Sequence, residues 1–152
     1  MSPESTKIKI LIAEDNPQGA ELLEAYLADF EAETRIATDG LETLRIIEEW
    51  QPDLVLLDIM MPRVSGFEVC KRLRHNPQTQ HIPIIMITAL DQPSDIERAV
   101  EAGTDDFLTK PIHKKELIAR IRALLESRHE KRPLERALAY FREVERYRQS
   151  AA

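Results

Sequence analysis

The chain has 152 residues, 43% hydrophobic and 32% charged, with a single cysteine and a net charge of −6. That supplies one ordinary hydrophobic core and excludes a low-complexity chain or an internal disulfide framework; with no apolar run near about 20 residues, it also excludes a membrane-spanning helix. Residues 1–126 carry 14 Lys+Arg against 23 Asp+Glu and residues 127–152 carry 7 against 4, so the body is a poor nucleic-acid surface and the tail, with charges of mixed sign, reads as a solvated helix.

Residues 1–6 are a polar tail without an apolar signal region, which together with the lone Cys70 points to a reducing cytoplasm. Lys7 to Ala13 (KIKILIA) is apolar and β-branched, a first strand that delivers Glu14 and Asp15 at its end. Asn16-Pro17 breaks it. From Gln18 to Phe30, Leu23, Leu27 and Phe30 recur at helical spacing. Thr34 to Ala37 is a short second strand and Asp39-Gly40 a turn. Leu41, Leu44 and Ile47 mark a second helix ending near Trp50 and Pro52.

Leu54 to Leu57 is an unbroken apolar run closed by Asp58, the signature of a strand buried on both faces. Pro62 and Gly66 punctuate the loop that follows. A third helix places Phe67, Cys70 and Leu73 on one stripe, so Cys70 reads as a core residue. Ile82 to Thr88 (IPIIMIT) is a fourth strand ending in a hydroxyl. A helix from Ser94 to Ala102 follows, with Ser94 as N-cap and Ile96, Ala99 and Val100 facing inward. Asp106 to Thr109 is a short fifth strand that hands over Lys110-Pro111. The fifth helix starts near Lys114, with Leu117, Ile121 and Leu124 inside. His75, His81, His113 and His129 are scattered and read as surface residues.

Five strands alternating with five helices through short connections predict an α/β fold: a doubly wound, five-stranded parallel sheet. In the flavodoxin-like order 2-1-3-4-5, the first and third strands are neighbours at the switch point, where ligands bind beyond the strand ends. Glu14, Asp15 and Asp58 then converge in one crevice. Three carboxylates repel one another unless a cation joins them, and a hard divalent ion such as Mg2+ suits such an oxygen set. Lys110 adds a fixed positive charge and Thr88 a hydroxyl. A cation, an ammonium and a hydroxyl around one carboxylate suit phosphoryl transfer to that carboxylate.

The linked motifs ILIAEDNP, DLVLLDIMMPRVSGFE, IPIIMITA and GTDDFLTKP resemble those of the receiver domain of two-component response regulators, over about residues 7–126. The resemblance implies that Asp58 is the phosphoacceptor. Glu14, Asp15 and Asp58 would bind Mg2+ together with the backbone carbonyl of Met60. Thr88 would turn its hydroxyl toward the phosphoryl group, Lys110 would pair with it, and Phe107 would occupy an aromatic switch position.

The domain reading that follows is a tail at 1–6, a receiver at 7–127 and a helical extension at 128–152. Beyond Pro133, Leu134, Leu138, Phe141 and Val144 recur at spacings of four, three and three, an amphipathic extra helix over about 133–148 that contacts either its own chain or a partner. The expected function is a stand-alone, cytoplasmic response regulator and not an enzyme. A sensor histidine kinase or phosphotransfer protein would phosphorylate it. It would then switch a surface for a protein target or a homodimer, formed by the helix 94–102, strand 106–109 and last-helix face or by the C-terminal helix, with no direct binding of nucleic acid or membrane. A receiver fold used only as a scaffold for protein interaction is the alternative. The sequence lacks the Asp-x-Asp of haloacid-dehalogenase-type phosphatases and the Ser/Thr-rich phosphate loop of flavodoxins.

Overall fold

The computed structural model describes residues 7–128 and 133–151. The predicted tail at 1–6, His129 and the start of the expected extension lie outside the described residues. The chain divides into two compact units, residues 1–110 and 111–152.

The first unit holds strands β1 (Ile8–Ala13), β2 (Ala32–Ala37), β3 (Leu54–Asp58), β4 (Ile84–Thr88) and β5 (Asp106–Thr109), with helices α1 (Pro17–Tyr26), α2 (Gly40–Trp50), α3 (Gly66–Arg74) and α4 (Pro93–Ala102). All neighbouring strands are parallel, in the order β2-β1-β3-β4-β5. This is the doubly wound, flavodoxin-like sheet that the alternation of elements predicts. Every residue of β3 and β4 is buried, as their continuous apolar runs require. Successive side chains of a strand point to opposite faces. Leu11, Ala13, Val55, Leu57, Ile84 and Met86 therefore build a core with Ile46, Ile47 and Trp50 of α2, Phe67, Cys70 and Leu73 of α3, and Ala99 and Ala102 of α4. On the opposite face, α1 lies against β1 and buries Ala20 and Leu23. Burial pushes the Cys70 thiol up to about 11, so it stays protonated and inert near neutral pH.

Several helix details differ from the sequence reading. The first helix stops at Tyr26, and a separate 3-10 turn covers Ala28–Phe30. Its N-cap is Asn16, whose side chain accepts from the Gln18 and Gly19 amides; Asn16-Pro17 starts the helix as well as ending the strand. Leu41 is exposed, the inner face of α2 being Thr43, Ile46, Ile47 and Trp50. Helix α4 begins at Pro93, one residue before the expected start, and its N-cap is Gln92, with Ser94 inside the first turn. Its inner face is the small pair Ala99 and Ala102, so Ile96 and Val100, expected inside, lie exposed on the outer side.

The second unit is a pair of helices, α5 (Lys114–Ser127) and α6 (Pro133–Ala151). Leu117, Ile121 and Leu124 are buried, as their spacing predicts. Glu116 in the first turn of α5 bonds to Arg148 in the last turn of α6 at 2.8 Å, so α6 runs back along α5. The extra helix is present, but its inward face matches the expected stripe only at Val144; the Leu134 side chain lies outside the described residues. Tyr140 and Val144 are buried, whereas Leu138 and Phe141 are exposed.

Candidate functional site

The ends of β1, β3 and β4 and the residue following β5 deliver the polar residues of the predicted site to one edge of the sheet. Register places Asp58 opposite Ile87 and Thr88 opposite Thr109, and the Lys110 amide donates to the Thr88 carbonyl at 2.8 Å. Glu14, Asp15 and Asp58 converge at the switch between β1 and β3, each contributing one carboxylate oxygen to a group within 4.8 Å. Glu14 and Asp58 are only 2% and 4% exposed, while Asp15 opens to solvent.

Lys110 binds this group directly. Its Nζ donates to Glu14 Oε1 at 2.7 Å and to Asp58 Oδ2 at 2.9 Å. Burial opposes the ammonium charge, but the hydrogen bonds to Glu14 and Asp58 and their negative charges outweigh it. The lysine pKa is held above its ordinary value. The other carboxylate oxygens meet backbone: Asp58 Oδ1 accepts from the Met60 amide at 3.0 Å and Glu14 Oε2 from the Asn16 amide at 3.2 Å. Three carboxylates against one ammonium leave negative charge in excess, and the donors are all hard oxygens. That donor set fits a divalent ion such as Mg2+.

Thr88 is fully buried at the end of β4, its hydroxyl accepting from the Leu90 amide at 3.2 Å. Phe107 is half-buried and, like Leu90, packs against the core shared by α2, α3 and α4. Met60 sits in the loop after Asp58 with its side chain exposed.

The family model of the response regulator receiver domain matches residues 10–122. The chain belongs to this family. It is a receiver domain of the kind used in two-component systems. Over 117 residues it is 42% identical to the DNA-binding dual master transcriptional regulator RpaA of Synechocystis sp., a match covering 77% of this chain and 48% of RpaA. The chain spans about half or less of the length of curated relatives it matches. Among solved structures, a response regulator of Chloroflexus aurantiacus superimposes with a TM-score of 0.76 at 36% identity, covering 79% of this chain and 98% of that one. The receiver domain of a sensor histidine kinase from Pseudomonas aeruginosa superimposes with a TM-score of 0.70 at 29% identity, over 79% of this chain and 95% of that one. It carries a magnesium ion coordinated in its active-site cleft. No helix among the described residues is long and apolar enough to cross a membrane.

The receiver cleft thus brings Glu14, Asp15, Asp58 and Lys110 together, with Thr88 beside Lys110 along the edge. Sequence reasoning missed the supports beneath it. Asp39 accepts from the Glu42 amide at 2.8 Å, and the Glu42 carboxylate reaches back to the Thr38 amide at 2.7 Å. The spacing Asp39-x-x-Glu42 is a capping signal that gives this helix start away; read as a plain turn, Asp39-Gly40 concealed it.

Proposed function

We propose that this receiver domain is a phosphorylation switch in which Asp58 takes a phosphoryl group from a sensor histidine kinase or phosphotransfer protein, in a Mg2+-dependent reaction. The observation that carries the reading is the Lys110 ammonium seated on Asp58 and Glu14, with Asp15 open beside them. Glu14, Asp15, Asp58 and the Met60 carbonyl would hold the ion. When bound, Mg2+ neutralises charge on the phosphoryl oxygens and orients them.

An oxygen of the Asp58 carboxylate bonds to phosphorus as the bond from phosphorus to the donor's imidazole nitrogen breaks, the electron pair leaving with that nitrogen. Such transfers depend on positioning and charge compensation more than on covalent assistance. The Met60 amide fixes the Asp58 carboxylate, and Lys110 pairs with an oxygen of the transferred group. The new group carries about −1.5 to −2 charges and three acceptor oxygens, while Asp58 gives up its own carboxylate charge in forming the acyl phosphate. The Thr88 hydroxyl leaves Leu90 to donate to it, and Phe107 follows, changing the surface formed by residues 94–102 and 106–109.

The chain turns over no small substrate beyond slow, self-catalysed gain and loss of the phosphoryl group. In this reading residues 7–127 are the receiver, residues 128–152 an extension, and the cytoplasm the setting. The output is a protein contact, with a target or a second copy, and not DNA. Treatment with acetyl phosphate and Mg2+, followed by intact-mass measurement, tests the reading. A gain of one phosphoryl group, absent when Mg2+ is chelated before acetyl phosphate is added, is expected. No gain at any Mg2+ concentration would leave the fold as a protein-binding scaffold.

A further inference from the structure

We propose that Gly40 is a positioning residue for the phosphoryl site, holding the loop that follows Asp58 through a backbone approach that no other residue permits. The inference rests on the reading of Asp58 as phosphoacceptor beside a Mg2+ site. The N-terminus of α2 grips residues 62–64 of that loop. The Gly40 amide donates to the Pro62 carbonyl at 3.2 Å. The Asp39 carboxylate, besides capping α2, pairs with Arg63 Nε at 3.4 Å. Arg63 adopts φ 73°, a left-handed conformation unusual for a side-chain-bearing residue. A Cβ at Gly40 would run into the Val64 carbonyl oxygen and lie 2.6 Å from Val64 Cβ and 2.7 Å from its carbonyl carbon. Two of these three are backbone atoms, so rotating a side chain cannot relieve the clash. Val64 itself must move.

The loop transmits such a shift to the site. The Val64 amide donates to Pro62 at 2.9 Å, and the amides of Gly66 and Met61 both donate to the Ile59 carbonyl, at 2.9 and 3.1 Å. Ile59 separates Asp58 from Met60, whose amide holds Asp58 Oδ1. At the far end of the loop, a Cβ on Gly66 would meet the Asp58 carbonyl oxygen. The loop is held at Val64 by Gly40 and at Gly66 by the Asp58 and Ile59 backbone, and displacing Val64 turns the Asp58 carboxylate away from Glu14 and Asp15. Groups that orient metal ligands from behind typically change metal affinity by roughly 10- to 100-fold when altered.

The test is a Mg2+ titration of the full chain by calorimetry and amide NMR, with Mg2+-dependent acetyl phosphate labelling alongside. Gly103→Ala is the control. Gly103 has φ 100° and its Cβ would lie 2.7 Å from Arg74 Cγ at the opposite sheet edge, so this variant loses stability without reaching the site. Gly40→Ala is expected to bind Mg2+ roughly tenfold more weakly, to shift amides at 58–66, and to reach wild-type labelling once Mg2+ saturates. Gly103→Ala keeps wild-type Mg2+ affinity. Val64→Gly, which loosens the loop without a clash, weakens Mg2+ in the same direction and decides the matter where Gly40→Ala does not fold. Wild-type affinity and unmoved loop amides in Gly40→Ala, or in Val64→Gly in its stead, would overturn the proposal. So would an equal loss in Gly103→Ala, because affinity would then merely follow stability. A wild-type chain that binds no Mg2+ would instead sink the reading of the cleft itself.

Discussion

Both edges of the sheet carry a cation held by carboxylate, and they are built for opposite ends. At the edge where β4 and β5 begin, the Arg74 guanidinium donates to the carbonyls of Gly103, Gln80 and Ile82 and to the Asp105 carboxylate, at 2.7 to 2.9 Å. Asp105 also accepts the Ile84 amide at 2.8 Å. One positive group meets one negative group, and backbone carbonyls take the remaining donors. At the edge where the strands end, one ammonium faces three carboxylates. The first arrangement is closed and ties α3, the loop before β4 and the loop before β5 into one piece. The second is open to another cation. A balanced charge cluster is a fastening, and an unbalanced one is a candidate site.

The contrast is broken most sharply by removing the proposed acceptor. Asp58→Asn should lower acetyl phosphate labelling to background while the amide spectrum keeps its dispersion, since Lys110 retains Glu14. Stoichiometric labelling of that variant would refute the open edge as a site. At the closed edge, Arg74→Met should cost about 2 kcal/mol in urea unfolding, because three carbonyls lose their donor and Asp105 loses its guanidinium while keeping the Ile84 amide. Its Mg2+ affinity should be unchanged; a lowered one would mean the two edges are not independent.

Lys110→Met sharpens the contrast with a smaller effect. Removing a like charge at contact distance should tighten Mg2+ roughly tenfold, as calorimetry would show. The same residue sets an alkaline limit. With its folded pKa raised, its contribution is complete below the ordinary lysine value and lost as pH rises through the raised one. The wild-type melting temperature should fall there more steeply than that of Lys110→Met, which keeps only the loss from the buried Cys70 thiol common to both. The smallest effect belongs to the helix pair. Chiefly the hydrogen bond from Arg148, and also that from Arg120, hold Glu116 below the usual carboxylate range. Its contribution is present above the ordinary Glu value and lost as pH falls through the lowered one. Exposed pairs contribute about 0–1 kcal/mol, so Glu116→Gln should slightly flatten the acid limb of a melting-temperature profile.

What the sequence disclosed follows the range of the interactions involved. The buried strands and the placement of the five candidate site residues at or just beyond strand ends were legible because an apolar run and the residue that closes it are neighbours in the chain. The faces of α4 and α6 were legible only in part, through Ala99 and Val144. In α4, Ile96 and Val100 are the more hydrophobic residues, but close packing selects Ala99 and Ala102, whose small side chains let the helix approach the sheet. In α6, Val144 faces inward as its spacing predicts, but the aromatic Tyr140 is buried in place of Leu138 and Phe141, on the helix whose Arg148 pairs with Glu116 and whose Tyr147 lies under Arg122. The grip of Gly40 on Val64 and the fastening at Arg74 depend on partners many residues distant, and no local pattern announces them.

The burial of Cys70 has a practical consequence. A thiol fully enclosed by the core, with its pKa pushed up to about 11, reacts negligibly with maleimides or methanethiosulfonates near neutral pH. The native chain is therefore already a silent background for site-directed labelling. A cysteine placed at Val100, 66% exposed on the outer side of α4, would take a spin label or fluorophore alone. The movement of that helix could then be followed in real time without first engineering the sulfur out of the core.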